Sequence, residues 1–597
     1  MCGIAGEVSQ LTPDDAHVRR SVEMQRHRGP DAHHTRRWSD CVLGHARLRI
    51  IDTSTHADQP MSNEDGSIWT VFNGEIYNFA DLRARLESAG HRFRTRSDTE
   101  VLVHLYEEHG REMVKHLRGM FAFAIWDERH RSLLLARDRL GIKPLYYREG
   151  DETLRFASEV RPLREPTDTL DPVSLGGYLR LGWVPGPRTI FVGVKEVPAG
   201  HFLEWRGGRA HVERWWRPPH RDPNGIESSE RTLSHALSDA TDRHLVSDVP
   251  IGLFLSSGLD SSALAALAAK AQVDAMTYTV DFDFGPSEAV AAARYAKRMG
   301  LEHTVVMITG GQVLADLPSV IADMDQPTVD GVNTWVISRA VREAGIKVAL
   351  SGLGGDEIFG GYSTFDRIPP LVRAGGRARV IPRALRAQLA QFGQRSVRHD
   401  VRRASEAIVD GGWSRAYASM RGVTGAGEHL RLTGGQGGDG LSEVSVPGGL
   451  NALDSVTQLE LANYLPFQLL RDSDTMSMAH GLELRVPLLD DAVVAAALRY
   501  PHDMDGRSGK ARLAAAVDPE LLRLASAPKQ TFTLPFDSWL KGPLAQPARA
   551  AVDRLAEPAV GLAPRELDDL WGRWESGRIH WRTVWALAAL GMWIDRL

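Results

Sequence analysis

Residues 249–262 read VPIGLFLSSGLDSS, and this stretch decides the fold of the larger, C-terminal part of the chain. The apolar run Val249–Leu255 predicts a buried strand, and Ser261–Ala271 behind it has the pattern of a helix. Small residues, Ser256-Ser257-Gly258, lie between them. In such a strand–loop–helix turn the backbone N–H groups and the helix dipole face the loop, which makes an anion site. The stretch therefore predicts a phosphate-binding turn.

The residues that follow alternate between strand and helix patterns. Fully apolar strands alternating with helices predict an α/β, doubly wound parallel sheet. Beyond about residue 365 the chain reads as mainly helical, and Gly434–Gly440 reads as a surface loop. The strand-like runs are Met276–Phe282, Leu301–Ile308 and Ile346–Leu350, and the helical ones are Ser287–Met299 and Asn333–Ala344.

A second glycine-rich turn, Ser351–Glu357 (SGLGGDE), directly follows one of these strands. Ligands of an open parallel sheet bind beyond the carboxyl ends of its strands, so both turns are expected at one edge. Each turn carries an aspartate, Asp260 or Asp356. A carboxylate in a phosphate loop repels phosphate unless a divalent cation lies between them, so the pair predicts a shared Mg²⁺–pyrophosphate site.

Residues 1 to about 210 have a different pattern, with short strands and tight turns. Ser67–Tyr77 reads as a strand that ends at Asn73-Gly74-Glu75. Hairpin patterns occur around residues 127–130 and 149–152, which together predict stacked antiparallel sheets with helices. The segment Arg217–Glu230, rich in proline and charge, is interpreted as a linker. We therefore expect two domains, residues 2–215 and 230–597.

Cys2 is a candidate nucleophile. If Met1 is removed, its thiol lies beside a free α-amino group, which can act as the base. Asn73 and Gly74 could stabilise an oxyanion, and Arg47 could bind a substrate carboxylate. Glu75 and Asp98 could bind a substrate ammonium group.

Composition excludes several classes of protein. The chain has 597 residues and a net charge of −5, with no basic concentration that would favour nucleic acid or a membrane surface. Cys2 and Cys41 are its only cysteines, so no disulfide framework is expected. No spanning apolar segment or signal core is evident, and a cytoplasmic location is expected.

Several segments of the chain together carry a family resemblance: Met1–Gly6, Arg26–Asp31, His45–Asp52, Asn73–Asn78, Arg96–Glu100, Ala136–Tyr147, Ser256–Ser262, Ser351–Glu357, Leu470–Asp490, Ser508–Lys510 and Pro528–Gln530. Through them the chain resembles glutamine-hydrolysing asparagine synthetases, which join a class II glutamine amidotransferase domain to an ATP-pyrophosphatase synthetase domain.

The resemblance implies an N-terminal-nucleophile hydrolase fold, with Cys2 as nucleophile and Asn73 and Gly74 as the oxyanion hole. It also implies that Arg47, Glu75 and Asp98 bind glutamine together with Asn73 and Gly74. The other cysteine, Cys41, matches no motif and is expected in the core.

For the second domain the resemblance implies a site for ATP and Mg²⁺. Lys510 would hold the pyrophosphate or α-phosphate, Asp260 and Asp356 would hold the metal, and Ser257 stands where the family loop carries glycine. The remaining implied nucleotide contacts are Leu255, Ser256, Ser257, Gly258, Ser261, Val280, Ser351 and Gly352.

Three departures concern the carboxylate acceptor. Leu353 stands where the family has glutamate, Gly355 where it has serine, and Thr531 where it has glycine. Leucine cannot transfer protons or bind ammonium, so Glu357 is a candidate to serve instead. Residues 325–334 also differ from the expected aspartate region. We expect aspartate as the acceptor. One alternative is another carboxylate, in specialised metabolism or cell-surface assembly, and a second is that the protein is a non-catalytic scaffold. A homodimer is left open.

Overall fold

A computed structural model describes residues 2–219, 230–273, 275–394, 399–410, 412–435, 438, 446, 448, 450–499, 508–525 and 533–597. Most of the predicted linker, much of the glycine-rich loop 434–440, and the segment Pro528–Thr531 lie outside these residues.

Two six-stranded antiparallel sheets form the N-terminal part of the molecule. The first sheet contains β1 (Gly3–Ser9), β2 (Ala32–Arg37), β3 (Cys41–Arg47), β8 (Tyr146–Gly150), β9 (Thr153–Ala157) and β10 (Val194–Glu196). The second contains β4 (Met61–Ser62), β5 (Ile68–Ile76), β6 (Gly119–Asp127), β7 (Ser132–Arg137), β11 (His201–Arg206) and β12 (Arg209–Arg214). Their strand orders are β10-β8-β9-β1-β3-β2 and β12-β11-β7-β6-β5-β4.

The sheets stack face to face, and helices cover both outer faces. Between them lies an apolar core that includes Val8, Val71 and Trp126, together with Cys41, which is fully buried as expected. The outer helices are α1 (Asp15–Met24) on the first sheet and α2 (Phe79–Ala89) and α3 (Glu100–His109) on the second. The predicted stacked antiparallel sheets, the strand β5 and both hairpins are confirmed, whereas strands β1 to β4 and β10 to β12 were not predicted.

A five-stranded, all-parallel sheet forms the centre of the C-terminal part. It consists of β13 (Ile251–Phe254), β14 (Met276–Phe282), β15 (His303–Ile308), β16 (Val348–Leu350) and β17 (Glu483–Arg485), in the order β15-β14-β13-β16-β17. The strand order reverses between β13 and β16, which is where a doubly wound sheet binds its ligands. The predicted doubly wound parallel sheet is confirmed, with β17 as an additional strand.

Helices surround this sheet and continue to the end of the chain. In the described residues no helix is both long enough and apolar enough to cross a membrane. The helices are α4 (Pro172–Leu181), α5 (Glu230–His244), α6 (Leu259–Lys270), α7 (Ala289–Met299), α8 (Gly310–Asp323), α9 (Val332–Glu343), α10 (Gly355–Phe359), α11 (Ser363–Ala378), α12 (Arg383–Gln394), α13 (His399–Asp410), α14 (Trp413–Arg421), α15 (Ala426–Leu432), α16 (Ala452–Leu459), a π-helix (Glu460–Leu470), α17 (Arg471–Met478), α18 (Asp491–Arg499), α19 (Gly509–Val517), α20 (Leu522–Ala525), α21 (Phe536–Lys541), α22 (Ala545–Arg554), α23 (Pro564–Glu575) and α24 (Trp581–Ile594).

Two candidate active sites and the contacts between them

The first candidate site lies where the two antiparallel sheets meet. Cys2 directly precedes β1 and is buried, and its backbone nitrogen donates to Oδ1 of Asn73 on β5 at 3.0 Å. Alternation along β5 puts Asn73 on the same face as Val71, which packs between the sheets. Burial raises the pKa of the Cys2 thiol, while the nearby N-terminal charge and a hydrogen bond to the Leu48 backbone lower it in part.

Asn73 and Gly74 have the features that an oxyanion site requires. Nδ2 of Asn73 is buried and has no hydrogen-bond partner, so a donor beside Cys2 remains free. Gly74 packs so closely on β6 that an added Cβ would lie 2.0 Å from the carbonyl oxygen of Met120. Because that contact is with backbone, only glycine is accommodated here.

The guanidinium of Arg47, at the end of β3, is held by the loop that follows. Nη1 donates to Oδ1 of Asp58 at 2.6 Å and to the Ser54 carbonyl at 2.8 Å, and Nη2 donates to the Asp52 carbonyl at 2.5 Å. Arg47 lies near Cys2, because Gly3 and Ala46, the neighbours of these two residues, are paired between β1 and β3, but a substrate carboxylate would have to share the guanidinium with Asp58.

The other two predicted glutamine ligands, Glu75 and Asp98, are buried close together. Asp98 accepts a hydrogen bond from the Ile76 backbone nitrogen at 2.9 Å, and burial raises its pKa to about 6. Burial also raises the pKa of Glu75 well above its usual value, although Arg485 opposes the shift. Oε1 of Glu75 accepts from Nη2 of Arg485 at 2.9 Å, and Arg485 belongs to β17 of the parallel sheet.

The second candidate site lies at the switch point of the parallel sheet. Lys510, in the first turn of α19, places Nζ 2.6 and 2.7 Å from the two carboxylate oxygens of Asp260 and 2.8 Å from Oδ1 of Asp356. Burial lowers the pKa of Lys510, but the two aspartates outweigh burial and raise it overall. One ammonium group therefore joins the two glycine-rich turns.

The glycines of the second turn also pack directly against Asp260 of the first. A Cβ added to Gly352 would lie 3.0 Å from Cβ of Asp260, and one added to Gly355 would lie 2.6 Å from its Cγ. Within the first turn, Oγ of Ser261 lies 2.8 Å from Oγ of Ser256, so the start of α6 holds the loop. The two glycine-rich turns therefore meet at one edge of the parallel sheet, as the sequence predicts.

The remaining predicted nucleotide contacts lie around this edge. Leu255 is buried at the end of β13, and its backbone nitrogen donates to the Tyr278 carbonyl on β14, the strand that carries Val280. Ser257 donates from Oγ to Oε1 of Glu288 at 3.0 Å, and Gly258 is the N-cap of α6. The backbone nitrogen of Ser351 donates to the Arg485 carbonyl at 2.9 Å.

Leu353 and Glu357, the two residues that the sequence analysis connects with the acceptor, lie in the second turn and in the helix that follows it. Leu353 packs against the apolar core beneath α6 and β16. Glu357 is fully buried in α10; its Oε1 accepts from the Tyr362 hydroxyl at 2.6 Å, and its Oε2 has no hydrogen-bond partner. Burial raises the pKa of Glu357 to about 7.

A buried guanidinium that sequence reasoning did not single out, that of Arg28, joins the Cys2 site to α17 of the C-terminal part. Its Nε donates to the Cys2 carbonyl at 3.2 Å, and its Nη2 donates to Asp474 of α17 at 2.7 Å. Lys143 also reaches Asp474, at 3.3 Å. All three buried charges lie within segments quoted above: Arg28 in Arg26–Asp31, and Asp474 and Arg485 in Leu470–Asp490. Their pairing with charges from distant segments is visible only in the fold.

Comparison with known proteins first defines the class. Residues 1–216 match the glutamine amidotransferase domain family and residues 232–595 match the asparagine synthase family. A chain with both combines a nitrogen-releasing domain with a domain of C–N bond-forming ligases.

The individual relatives point the same way. A putative glutamine-hydrolysing asparagine synthetase of Mycobacterium tuberculosis (strain CDC 1551 / Oshkosh) is 31% identical over 99% of this chain and 97% of its own. The glutamine-hydrolysing asparagine synthetase 1 of Bacillus subtilis is 30% identical over 91% of this chain and 88% of its own. The chain belongs to the asparagine synthase family.

Among solved structures, the glutamine phosphoribosylpyrophosphate amidotransferase of B. subtilis matches 59% of this chain and 75% of its own at 17% identity, with a TM-score of 0.29. A similarity this low supports no conclusion.

Proposed function

We propose that this protein releases ammonia from glutamine at Cys2 and uses it to amidate a carboxylate that ATP has activated, with aspartate as the acceptor and asparagine as the product. The observation that carries the proposal is that Asp260, Asp356 and Lys510 converge at the switch point of the sheet while Cys2 and Asn73 meet in the other domain. Membership of the asparagine synthase family supports it.

In the glutaminase half, the Cys2 sulfur attacks the carboxamide carbon of glutamine. With Met1 removed, the α-amino group accepts the thiol proton and returns it to the departing ammonia. The free Nδ2 of Asn73 and the backbone N–H of Gly74 stabilise the oxyanion. Water then releases glutamate from the thioester, while Glu75 and Asp98 hold the substrate ammonium group.

In the synthetase half, an oxygen of the acceptor carboxylate attacks the α-phosphorus of ATP, and pyrophosphate leaves. The backbone of Ser256–Ser261 and the ammonium of Lys510 bind the phosphates, and Leu255 and Val280 flank the adenine. The two aspartates offer the oxygen ligands that Mg²⁺ prefers, and the ion would neutralise phosphate charge. Ammonia attacks the acyl carbon of the acyl-adenylate, AMP leaves, and the nitrogen loses a proton to give the amide.

Ammonia must reach the second site without being protonated, because ammonium is not a nucleophile. A passage inside the protein excludes water and so preserves the free base. The two domains pack against each other through two buried ion pairs, Arg28 with Asp474 and Arg485 with Glu75. An internal passage requires such a closed contact between the domains. A small pocket also opens between the domains; its lining includes Tyr77, Ile142, His244, Val486, Leu489, Asp490 and Asp491.

A second candidate function is the same amidation on a carboxylate other than aspartate. Leu353 favours it, because an apolar, core-packed side chain cannot replace an acidic one in proton transfer. Amidation could still proceed without an acidic residue at position 353, because Glu357 can take over the proton transfer. Its unpaired Oε2 and its pKa of about 7 suit a group that accepts a proton from the attacking nitrogen.

Pyrophosphate release distinguishes the candidates. With ATP and glutamine present, a panel of carboxylic acids that includes aspartate is tested, and each product is identified by mass. Release with aspartate and formation of asparagine supports the first candidate; release only with another acid supports the second. If no acid supports pyrophosphate release, both candidate functions are contradicted, and a non-catalytic scaffold is the alternative that remains.

The Cys2→Ala variant tests the separation of the two sites. It should lose glutamine-dependent amidation but keep ammonia-dependent amidation, because the synthetase half contains no part of the thiol chemistry. Cys41→Ala is the matched control, since Cys41 is buried in the sandwich core, and it should keep both activities. Loss of both activities in Cys2→Ala would contradict the proposal.

A further inference from the structure

Four potential metal ligands meet on the outside of the second antiparallel sheet, and none of them belongs to either candidate site. Glu64 lies in the turn between β4 and β5, and His91 lies just after α2. His104 and Glu107 lie three residues apart on α3, so they share one face of the helix. One potential ligand atom from each of the four lies within 4.8 Å of the others.

Four nitrogen–oxygen distances in the cluster fall in the range expected for neighbouring ligand atoms of one metal ion, with both oxygens of Glu64 contributing. Nδ1 of His91 lies 3.5 Å from Oε1 of Glu64 and 3.6 Å from Oε2 of Glu107. Nδ1 of His104 lies 3.3 Å from Oε2 of Glu64 and 3.4 Å from Oε2 of Glu107. Ligand bonds of about 2.0–2.2 Å to Zn²⁺ give tetrahedron edges of about 3.3–3.6 Å. All four distances are longer than the roughly 2.7–3.2 Å of ordinary N–H···O hydrogen bonds.

The far nitrogens of both imidazoles face carboxylates. Nε2 of His91 lies 3.0 Å from Oε1 of Glu108, and Nε2 of His104 lies 3.8 Å from Oε1 of Glu100. A proton on Nε2 of His91 is therefore favoured, which leaves its Nδ1 lone pair directed at the centre of the cluster. Nε2 of His104 has no hydrogen-bond partner, and Nδ1 of His104 lies 3.4 Å from Oε2 of Glu107. A carboxylate behind the histidine is the usual way in which a protein orients a metal-binding imidazole.

The carboxylates are also held in place. Oε1 of Glu107 accepts from Nδ2 of Asn63 at 2.9 Å, and Oε1 of Glu64 accepts from the Arg92 backbone nitrogen at 2.8 Å. His104 is buried, whereas the side chains of His91, Glu107 and Glu64 are 13%, 24% and 32% exposed. An ion can therefore enter from solvent on one side of a preformed site.

We propose that Glu64, His91, His104 and Glu107 form a binding site for a divalent transition metal, and we assign it to Zn²⁺ because two imidazoles and two carboxylates suit that ion. The ion joins the β4–β5 turn and the α2–α3 connection to α3. Glu100, behind His104, also accepts from the backbone nitrogens of Arg94 and Thr95 at 2.7 Å each, so the site contacts the loop that carries Asp98.

The test is Zn²⁺ binding by the full-length, tag-free protein, stripped of metal and titrated against a chromogenic chelator. The Cys2→Ala background removes the thiol of Cys2 as a competing ligand. One equivalent is expected to bind, and Co²⁺ at the site should give the intense visible absorption of four-coordinate cobalt. Loss of a residue that only orients a metal ligand typically lowers metal affinity by about 10–100-fold. His91→Ala and Glu107→Gln each remove a ligand itself, so each should lower Zn²⁺ affinity by more than that.

His109→Ala is the matched control, because His109 ends the same helix and stacks on His116 instead of facing the cluster. It should keep full Zn²⁺ affinity, and circular dichroism should show that all variants are folded. Failure of the parent protein to bind Zn²⁺, or unchanged affinity in folded His91→Ala and Glu107→Gln, would overturn the proposal. The result does not depend on the amidation reaction, so the two proposals can fail separately.

Discussion

Replacing Lys510 with methionine removes the charge that holds the two glycine-rich turns together. Its Nζ lies 2.7 Å or less from both oxygens of Asp260, and at an effective dielectric constant of about 20 one such charge pair is worth about 6 kcal/mol before desolvation. The side chains of Lys510, Asp260 and Asp356 are only 13–19% exposed, so water replaces the lost charge poorly. Breaking a buried pair of this kind typically destabilises by about 3–5 kcal/mol.

The effect on turnover follows from where the charge acts. If Lys510 stabilises the charge that develops on the departing pyrophosphate, its loss should lower the amidation rate by about 10²–10³-fold, as for removal of one preorganised donor. Glutamine hydrolysis should remain close to normal, because the ion pairs of Lys510 both lie within the parallel-sheet domain.

The assay measures pyrophosphate release and glutamate formation in parallel. Lys541→Met is the matched control, since the ion pair of Lys541 with Asp537 is about half exposed to solvent, and it should change neither rate more than about two-fold. Normal pyrophosphate release by Lys510→Met, or equal loss of both activities, would refute the assignment of Lys510.

Three further perturbations test other parts of the two sites. Gly74→Ala should abolish glutamine hydrolysis while sparing ammonia-dependent amidation, because its Cβ would clash with the backbone of Met120; Gly376→Ala, where nothing lies within 4 Å, should change neither activity. The KM for glutamine should rise as the pH falls through about 6, because burial raises the pKa of Asp98 to about 6 and its protonation removes the charge that attracts the substrate ammonium; a pH-independent KM across that range would contradict this role. Arg485→Met should lower the free energy of unfolding by about 3–5 kcal/mol, because the buried carboxylates of Glu75 and Glu483 lose their counter-charge. An unchanged midpoint of urea unfolding would show that these two ion pairs contribute little to stability.

Sequence reasoning was most accurate where a local pattern sufficed. The alternation that ends at Asn73-Gly74 gave β5, and the apolar runs gave β13, β14 and β16. Because parallel strands present their carboxyl ends at one edge, the meeting of Asp260 and Asp356 could also be predicted.

What could not be predicted depends on contacts between distant segments. The strand β17 has only three residues, two of them charged, so no local pattern distinguishes it. Arg28 and Asp474 lie 446 residues apart in the sequence and are buried together. Similarly, His91 and Glu64 meet His104 only because α3 packs beside the β4–β5 turn.

The proposal that the two pockets act together is tested most directly by isotope transfer. The protein is given glutamine labelled with ¹⁵N in its amide, ATP, the acid that supports pyrophosphate release, and an excess of unlabelled ammonium. If ammonia passes inside the protein from Cys2 to the acyl-adenylate, the product amide should carry ¹⁵N well above its fraction in the bulk ammonium pool. A product with the bulk isotope ratio would contradict the proposal.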